Sequence, residues 1–450
     1  MKTLDRKLWR DLWHMKGQVF AITLVVMSGV ATFIMFITTM DSLDYTRNKF
    51  YRDYNFAEAF VHLRRAPESL IDKIKEIEGV RQAETRVVAQ VKLDISGFNE
   101  PVNARIISIP DSGTPLLNGL YIRRGSFPDP NKDNEVIISE NFAEAHNLKI
   151  GDQIAAIISG KWKKMTICGV ALSPEFILLM KPEAMSPDFK RYGILWMNRK
   201  ALSEAYDMDG AFNSVVLTLQ PQARLSDVLR AIDNVVGKYG GFGAYGRNDQ
   251  ISHRLLSEEF KQLKTSSKIF PSIFIFVSAF LLNVVMSRTI NTQREQIAAL
   301  KAFGYSNYDI GVHYAKLVVL IIAAGLASGI ACGIWFGQLL GDIYMAVYRF
   351  PFLVYILKPW VIVAAVFVSI FSAIAGTLHT LWRAAKQPPA EAMRPEPPAQ
   401  YKVSLMEKMG LGRKITQPSK IIIRNIERKP IRTLLSIIGI SLACGTMIAS

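Results

Sequence analysis

Long apolar runs, almost free of charge, occupy Val19 to Met40, Ile269 to Met286, Leu317 to Leu340 and Val361 to Leu378 of this 450-residue chain. A fifth begins near Thr433 and is still running at Ser450. A soluble domain spreads its apolar residues at helix or strand period, whereas about 18 or more in succession will span a hydrocarbon core of roughly 30 Å. Half of the residues are hydrophobic, and their gathering into runs decides the class: an α-helical integral membrane protein. Because a span cut in mid-membrane would leave backbone carbonyls without partners, the sequence is expected to be a piece of a longer protein.

The formal charge of +16 suits membrane orientation better than nucleic acid, because the basic residues crowd the ends of the runs. Lys2, Arg6, Lys7, Arg10 and Lys16 precede the first. Arg383, Lys386, Arg394, Lys402, Lys408, Arg413, Lys414, Lys420, Arg424, Arg428, Lys429 and Arg432 fill the stretch between the fourth and fifth. By the positive-inside rule both are cytoplasmic, so the N-terminus is expected inside and the long segment after Asp41 outside. A secretory leader is excluded by length, since the first run of about 22 residues exceeds a signal core and no small-x-small site follows it. Cys168, Cys332 and Cys444 make no disulfide framework and read as small buried hydrophobes.

These runs order the chain as an amphipathic cytoplasmic helix at 1–17, a span at 18–40, an extracytoplasmic domain at 41–265, spans at 266–287, 314–341 and 359–382, and the start of a fifth at 431–450. A cytoplasmic loop at 288–313, an outer loop at 342–358 and a cytoplasmic linker at 383–430 connect them. Strand and helix patterns in the large domain predict an α+β lobe over about 57–112, a β-rich lobe over about 113–220 and a return segment to 265. The expected fold is therefore a large α+β, two-lobed extracytoplasmic domain between the first and second membrane helices. A strand is read over Ala83 to Leu93, and a helix over Ile251 to Lys264 that continues into the second span. Five prolines between Pro388 and Pro398 mark a linker. Arg10-Asp11-Leu12 and Arg424-Asn425-Ile426 stand at similar distances before the first and fifth runs. Internal duplication and shared composition explain that likeness equally well.

The cytoplasmic stretch Arg294-Glu295-Gln296-Ile297-Ala298-Ala299-Leu300-Lys301-Ala302-Phe303-Gly304-Tyr305-Ser306 predicts a short helix. Ile297, Leu300 and Phe303 recur at helical spacing, Lys301 complements the dipole in the last turn, and Gly304 can take the left-handed cap. Spacing alone favours an interfacial helix on lipid headgroups. The stretch also resembles the conserved cytoplasmic loop of FtsX-like, MacB-type permeases, with Ala298 where that family often has glycine. Leu8-Trp9-Arg10-Asp11-Leu12, the run Glu135 to Val170 with Gly151-Asp152, Arg288, and Pro389-Ala390-Glu391-Ala392-Met393-Arg394 resemble further landmarks of the same family. The resemblance implies a coupling helix in which Arg294, Glu295, Leu300, Lys301, Ala302 and Gly304 contact an ATPase subunit.

In the third run Gly325, Gly329, Gly333, Gly337 and Gly341 recur every four residues and leave one helix face nearly bare. Small residues let helix backbones approach closely in lipid, so this face is expected to pack against the second or fourth span. Asn283 and Gln338 are each expected to hydrogen-bond a neighbouring helix.

Catalytic signatures are missing from the sequence: no phosphate-cradling Gly-x-x-x-x-Gly-Lys-Ser/Thr loop, no His-Glu-x-x-His and no Gly-x-Ser-x-Gly. The six histidines are scattered and read as structural, and the spans carry no mid-membrane charge of the kind a proton relay needs. The resemblance therefore implies a non-enzymatic permease of the bacterial inner membrane, binding no cofactor itself. ATP and magnesium would sit in a separate ABC ATPase subunit. It further implies a dimer with a second copy or homologue, contact with membrane lipids, in some systems a membrane-fusion adaptor, and mechanotransmission that serves export or extraction of a substrate. The alternative within the family is a regulator that moves no substrate and activates an extracytoplasmic cell-wall hydrolase. A membrane sensor would need an output module, and the cytoplasmic segments carry none.

Overall fold

The computed structural model describes residues 3–180 and 187–386, together with Thr433, Ile437 and Ser441. The proline-rich linker, the Pro389 to Arg394 landmark, the Arg424 to Ile426 half of the internal likeness, Cys444 and the body of the fifth run lie outside the described residues. Helices α1 (Thr3–His14) and α2 (Lys16–Asp53) lead into β1 (Ala59–Pro67), α3 (Leu70–Lys75), β2 (Val80–Arg86), β3 (Val88–Ile95) and β4 (Phe98–Ile109). Next come β5 (Tyr121–Gly125), β6 (Glu135–Ser139), α4 (Glu140–Ala145), β7 (Gln153–Ile158), β8 (Lys161–Leu172), β9 (Tyr192–Asn198) and α5 (Arg199–Ala205). The chain continues through β10 (Ala211–Leu219), α6 (Leu225–Val236), β11 (Tyr245–Gly246), α7 (Ile251–Thr292), α8 (Arg294–Ala302), α9 (Asn307–Val347) and α10 (Pro359–Lys386).

Among the described residues four helices, α2, α7, α9 and α10, are long and apolar enough to cross a membrane. The 42 residues of α7 extend roughly 63 Å, about twice a hydrocarbon core. The chain divides into two units: residues 1–39, 263–339 and 356–450 form one, and residues 40–262 with 340–355 form the other.

The second unit is a large α/β domain with two sheets. Strands β11, β1, β10 and β2 form a four-stranded antiparallel sheet, whose core of Val61, Phe212, Val215 and Leu217 is covered by Ile74 of α3 and Ile232 of α6. The other sheet runs β5-β8-β6-β9-β4-β3-β7, and β7 pairs back onto β8 through Gln153 to Ile158 and Lys161 to Thr166. Six strands thereby close on themselves, which removes the exposed edges that would otherwise template aggregation. Alternation does the filling: Val136, Ile138, Leu195 and Met197 enter one core, and Ile137, Ile194 and Trp196 the other face.

This pairing corrects the expected lobes. The stretch Ala83 to Leu93 is two strands, not one, and β2 and β3 join different sheets. Side chains take over the backbone pairing at the break, where the Val87 amide donates to Ser108 Oγ at 2.8 Å and the Val88 amide to Asn213 Oδ1 at 2.8 Å. The division at about residue 112 is likewise not the division the sheets make. Strands β3 and β4 belong with β5 to β9, while β10 returns to the first sheet across more than a hundred residues. Apolar alternation runs through such a corner unbroken, so pattern alone hides it.

The 342–358 loop reads from sequence as a plain connector, yet its first part belongs to the α/β domain. Arg349 Nη2 pairs with Glu144 at 2.7 Å, and Arg123 Nη1 donates to the Pro351 carbonyl at 3.0 Å.

Two histidines tie this domain to pH. Burial, then Arg105 and Arg86, pulls His62 down to about 4, and burial, then Arg47 and Arg247, does the same for His253. The unfolded chain then binds more protons between about pH 6.5 and 4, so this stability is complete above 6.5 and is lost as pH falls toward 4. Thermal unfolding in lipid nanodiscs is expected to occur at progressively lower temperature from pH 7 to pH 5, with a shallower decline in a His62→Gln/His253→Gln variant. An identical slope in parent and variant would contradict this.

In the first unit the bare face of α9 meets α2, the first span, rather than the second or fourth. A Cβ added at Gly325, Gly329 or Gly333 would lie 2.8, 2.7 and 2.8 Å from Cβ of Val26, Val30 and Ile34 respectively. Thr39 Oγ1 donates to the Gly337 carbonyl at 3.2 Å. Branched residues every four positions on α2 thus project into the gaps left by glycine every four positions on α9. In the other unit, Gly341 faces Leu353. Asn283 does bond a neighbouring helix, donating to the Gly376 carbonyl at 2.8 Å and to Thr380 Oγ1 at 3.2 Å, whereas Gln338 is exposed. Gly329→Ile is expected to cost about 1–3 kcal/mol by overpacking. It should lower the unfolding temperature in nanodiscs, while Gly311→Ala, whose new Cβ meets no neighbouring element within 4 Å, should leave it unchanged or raise it.

Candidate functional site

Helix α8 is nine residues long and is stopped at its C-terminal end by its own sequence. At its C-terminus Gly304 takes φ +91°, the left-handed conformation in which a side chain is strained, and the Tyr305 amide returns to the Leu300 carbonyl at 3.2 Å. Two residues on, Ser306 and Asp309 cap α9 reciprocally. The Asp309 amide donates to Ser306 Oγ at 3.2 Å, and the Ser306 amide to Asp309 Oδ2 at 3.0 Å.

Polar contacts anchor the start of α8. Gln293 precedes it, and its Oε1 accepts from Lys7 Nζ of α1 at 2.9 Å and from the Tyr314 hydroxyl of α9 at 2.8 Å. Lys7 also pairs with Asp11 at 2.5 Å, and His313 Nε2 lies 3.5 Å from the same carboxylate. Burial pushes the Asp11 carboxyl up, but the nearby His313 and the Lys7 ammonium outweigh it and hold it below the ordinary carboxylate range. Ile297 joins the same apolar cluster as Leu8, Tyr314 and Leu317, with Ala298 buried beside it.

The remaining surface of α8 is more open. Glu295, Ala302 and Gly304 are exposed, while Arg294, Leu300 and Lys301 are half-buried, and partial burial depresses the Lys301 ammonium. The expected Ile297, Leu300, Phe303 stripe does not act as one face: Ile297 is 3 % exposed and Phe303 is 84 % exposed. Phe303 sits at the C-cap, where the helix has already ended, so it projects away from the cluster that holds Ile297. Tyr308, in the first turn of α9, is 77 % exposed. Two bare aromatic rings thus flank the Gly304 turn. Lys7 was legible from sequence only as part of the basic flank, and Gln293, His313, Tyr314 and Tyr308 were not singled out there. For the capping pair the signal was present as Ser-x-x-Asp, but the Gln293 network joins residues nearly 300 positions apart and leaves no local pattern.

Two family models match the chain. The FtsX-like permease C-terminal model matches residues 268–389, which contain α8, and the MacB-like periplasmic core domain model matches residues 19–235. Among curated proteins none matches. Among solved structures, the chain is similar to the extracellular domain of the noncanonic ABC-type transporter YknZ from Gram-positive bacteria, at 15 % identity and a TM-score of 0.27, covering 43 % of this chain and 99 % of that one. It is also similar to the periplasmic region of MacB from Actinobacillus actinomycetemcomitans, at 9 % identity and a TM-score of 0.29, covering 47 % of this chain and 95 % of that one. With both of its characteristic regions matched in order along one sequence, the chain belongs to the FtsX-like, MacB-type permeases of ABC transporters.

Proposed function

We propose that this chain receives ATP-driven motion from a separate nucleotide-binding subunit through α8 and passes it to the α/β domain on the other side of the membrane, for export or extraction of a substrate. One observation carries this reading: a short helix with a buried root and an exposed tip. Gln293 and Ile297 fix it to α1 and α9, while Glu295, Ala302, Phe303 and Tyr308 are left for contact. An element that transmits force has to be stiff on one side and adhesive on the other, and exposed aromatics are the side chains most often found at the energetic centres of interfaces.

In this reading the N-terminus and α8 are cytoplasmic, residues 41–265 lie outside the inner membrane as two lobes, and the chain works as a dimer with a second copy or a homologue. ATP and magnesium are held by the partner subunit, since this sequence has no phosphate-cradling loop, and the chain alone turns over no ATP. Orientation is tested by placing a cysteine at Asn131, which lies on an exposed turn. An impermeant thiol reagent should label it in cells with an intact inner membrane. Labelling only after that membrane is opened would contradict the arrangement.

A further inference from the structure

Between the two sheets of the α/β domain lies a cleft of about 290 Å³ lined by both polar and apolar side chains. Its polar lining includes His62 of β1, Tyr245 of β11, Arg105 of β4 and Glu175, and its apolar lining Leu178 and Met180 beside Tyr192. We propose that this cleft binds a small organic carboxylate, its anionic head on Arg105 and its apolar body against Met180 and Tyr192.

The argument starts from charge. Glu175, on the cleft wall, is already satisfied: Oε2 accepts from Arg86 Nη1 at 2.6 Å and from Asn118 Nδ2 at 2.7 Å, and Oε1 accepts from Arg86 Nη2 at 3.3 Å. Arg105 lines the same cleft and helps to hold the Glu175 carboxyl low through space, but none of its donors reaches that carboxylate. Its side chain makes no ion pair or hydrogen bond among the described residues, and its Nε is buried with no acceptor. A guanidinium presents donors in a planar fork that matches a carboxylate, and leaving them desolvated and unused costs stability. His62 adds no second charge, since burial and the two arginines keep it neutral at pH 7, and its Nε2 lies 3.3 Å from the Tyr245 hydroxyl. Tyr245 is fixed in turn by stacking on Phe60, with centroids 5.5 Å apart. The acidic group at the mouth, Asp249, is exposed and solvent-screened.

Among the described residues the cleft therefore offers a guanidinium with unbonded donors, neutral hydrogen-bonding neighbours and apolar side chains. At a share of roughly 30 Å³ per water-sized group it holds about ten heavy atoms. This assignment is independent of the coupling role of α8.

Methyl-labelled methionine resonances report on Met180 in the full chain in nanodiscs, assigned with Met180→Leu. Phenylacetate, a carboxylate of the right size, is expected to shift the Met180 signal saturably. Phenylacetamide, of the same shape but neutral, should bind at least tenfold more weakly, and so should phenylacetate to Arg105→Gln. The proposal is overturned by the absence of a saturable Met180 shift, by equal responses to acid and amide, or by an unchanged response in Arg105→Gln. Inorganic phosphate acting as well as phenylacetate would overturn the assignment of an apolar body. The acid and amide comparison uses the parent protein, so it decides the matter even if the variant fails to fold.

Discussion

Replacing Arg86 with alanine is expected to destabilise the α/β domain by about 3 kcal/mol or more, the cost of stranding a buried carboxylate. Arg86 is 7 % and Glu175 5 % exposed, and the pair joins β2 of the smaller sheet to the segment that follows β8 of the larger. Burial pushes the Glu175 carboxyl up, and Arg86 more than offsets it. Once Arg86 is gone, Asn118 alone among the described residues remains in hydrogen-bond contact with the carboxylate, supplying a neutral donor in place of a cation. Removing both charges with shape-matched apolar residues, Arg86→Met with Glu175→Leu, should cost less than Arg86→Ala alone, because nothing charged is left behind. Chemical unfolding of the three proteins in nanodiscs checks this ordering. A loss below about 1 kcal/mol for Arg86→Ala would mean that the pair is hydrated in solution.

At the tip of α8, Leu300→Asp combined with Phe303→Asp is expected to weaken docking of the nucleotide-binding subunit by about 2 kcal/mol or more, near thirtyfold in affinity. Phe303 is 84 % exposed and Leu300 half-buried, so two carboxylates at these places enter an interface without entering the apolar cluster around Ile297. Folding and membrane insertion should therefore be preserved, and the basic flank at Arg288 that orients the loop is untouched. Affinity of the purified ATPase for the chain in nanodiscs and stimulation of its ATP turnover should fall together. Unchanged values for both would return α8 to the role of a lipid-surface helix.

How far the sequence could be read depends on the range of the interactions. The spans, α8 and its Gly304 stop were legible because periodicity, charge and a left-handed cap are written within a few residues. Even the bare face of α9 was legible as a packing face. Its partner was not, because Val26, Val30 and Ile34 look like any apolar residues of a span and only the structure pairs them with Gly325, Gly329 and Gly333. The sheets were misdivided for the same reason. Val87 continues an alternating pattern across a corner, and the amides there are satisfied by Ser108 and Asn213, which are distant in sequence. Phe303 was assigned to the wrong face because helical spacing was extended one residue past the point where the helix ends. The Arg86 and Glu175 pair and the unpaired Arg105 depend on burial, which composition does not reveal.

The most direct test of the central claim is photocrosslinking from the tip of α8. With p-benzoylphenylalanine in place of Phe303, illumination of membranes containing both subunits is expected to yield an adduct whose peptides include a Gly-x-x-x-x-Gly-Lys-Ser/Thr loop. The same probe at Trp335, 60 % exposed on α9, should yield none. Adducts from position 303 to lipid alone, at full abundance of both subunits, would contradict the account.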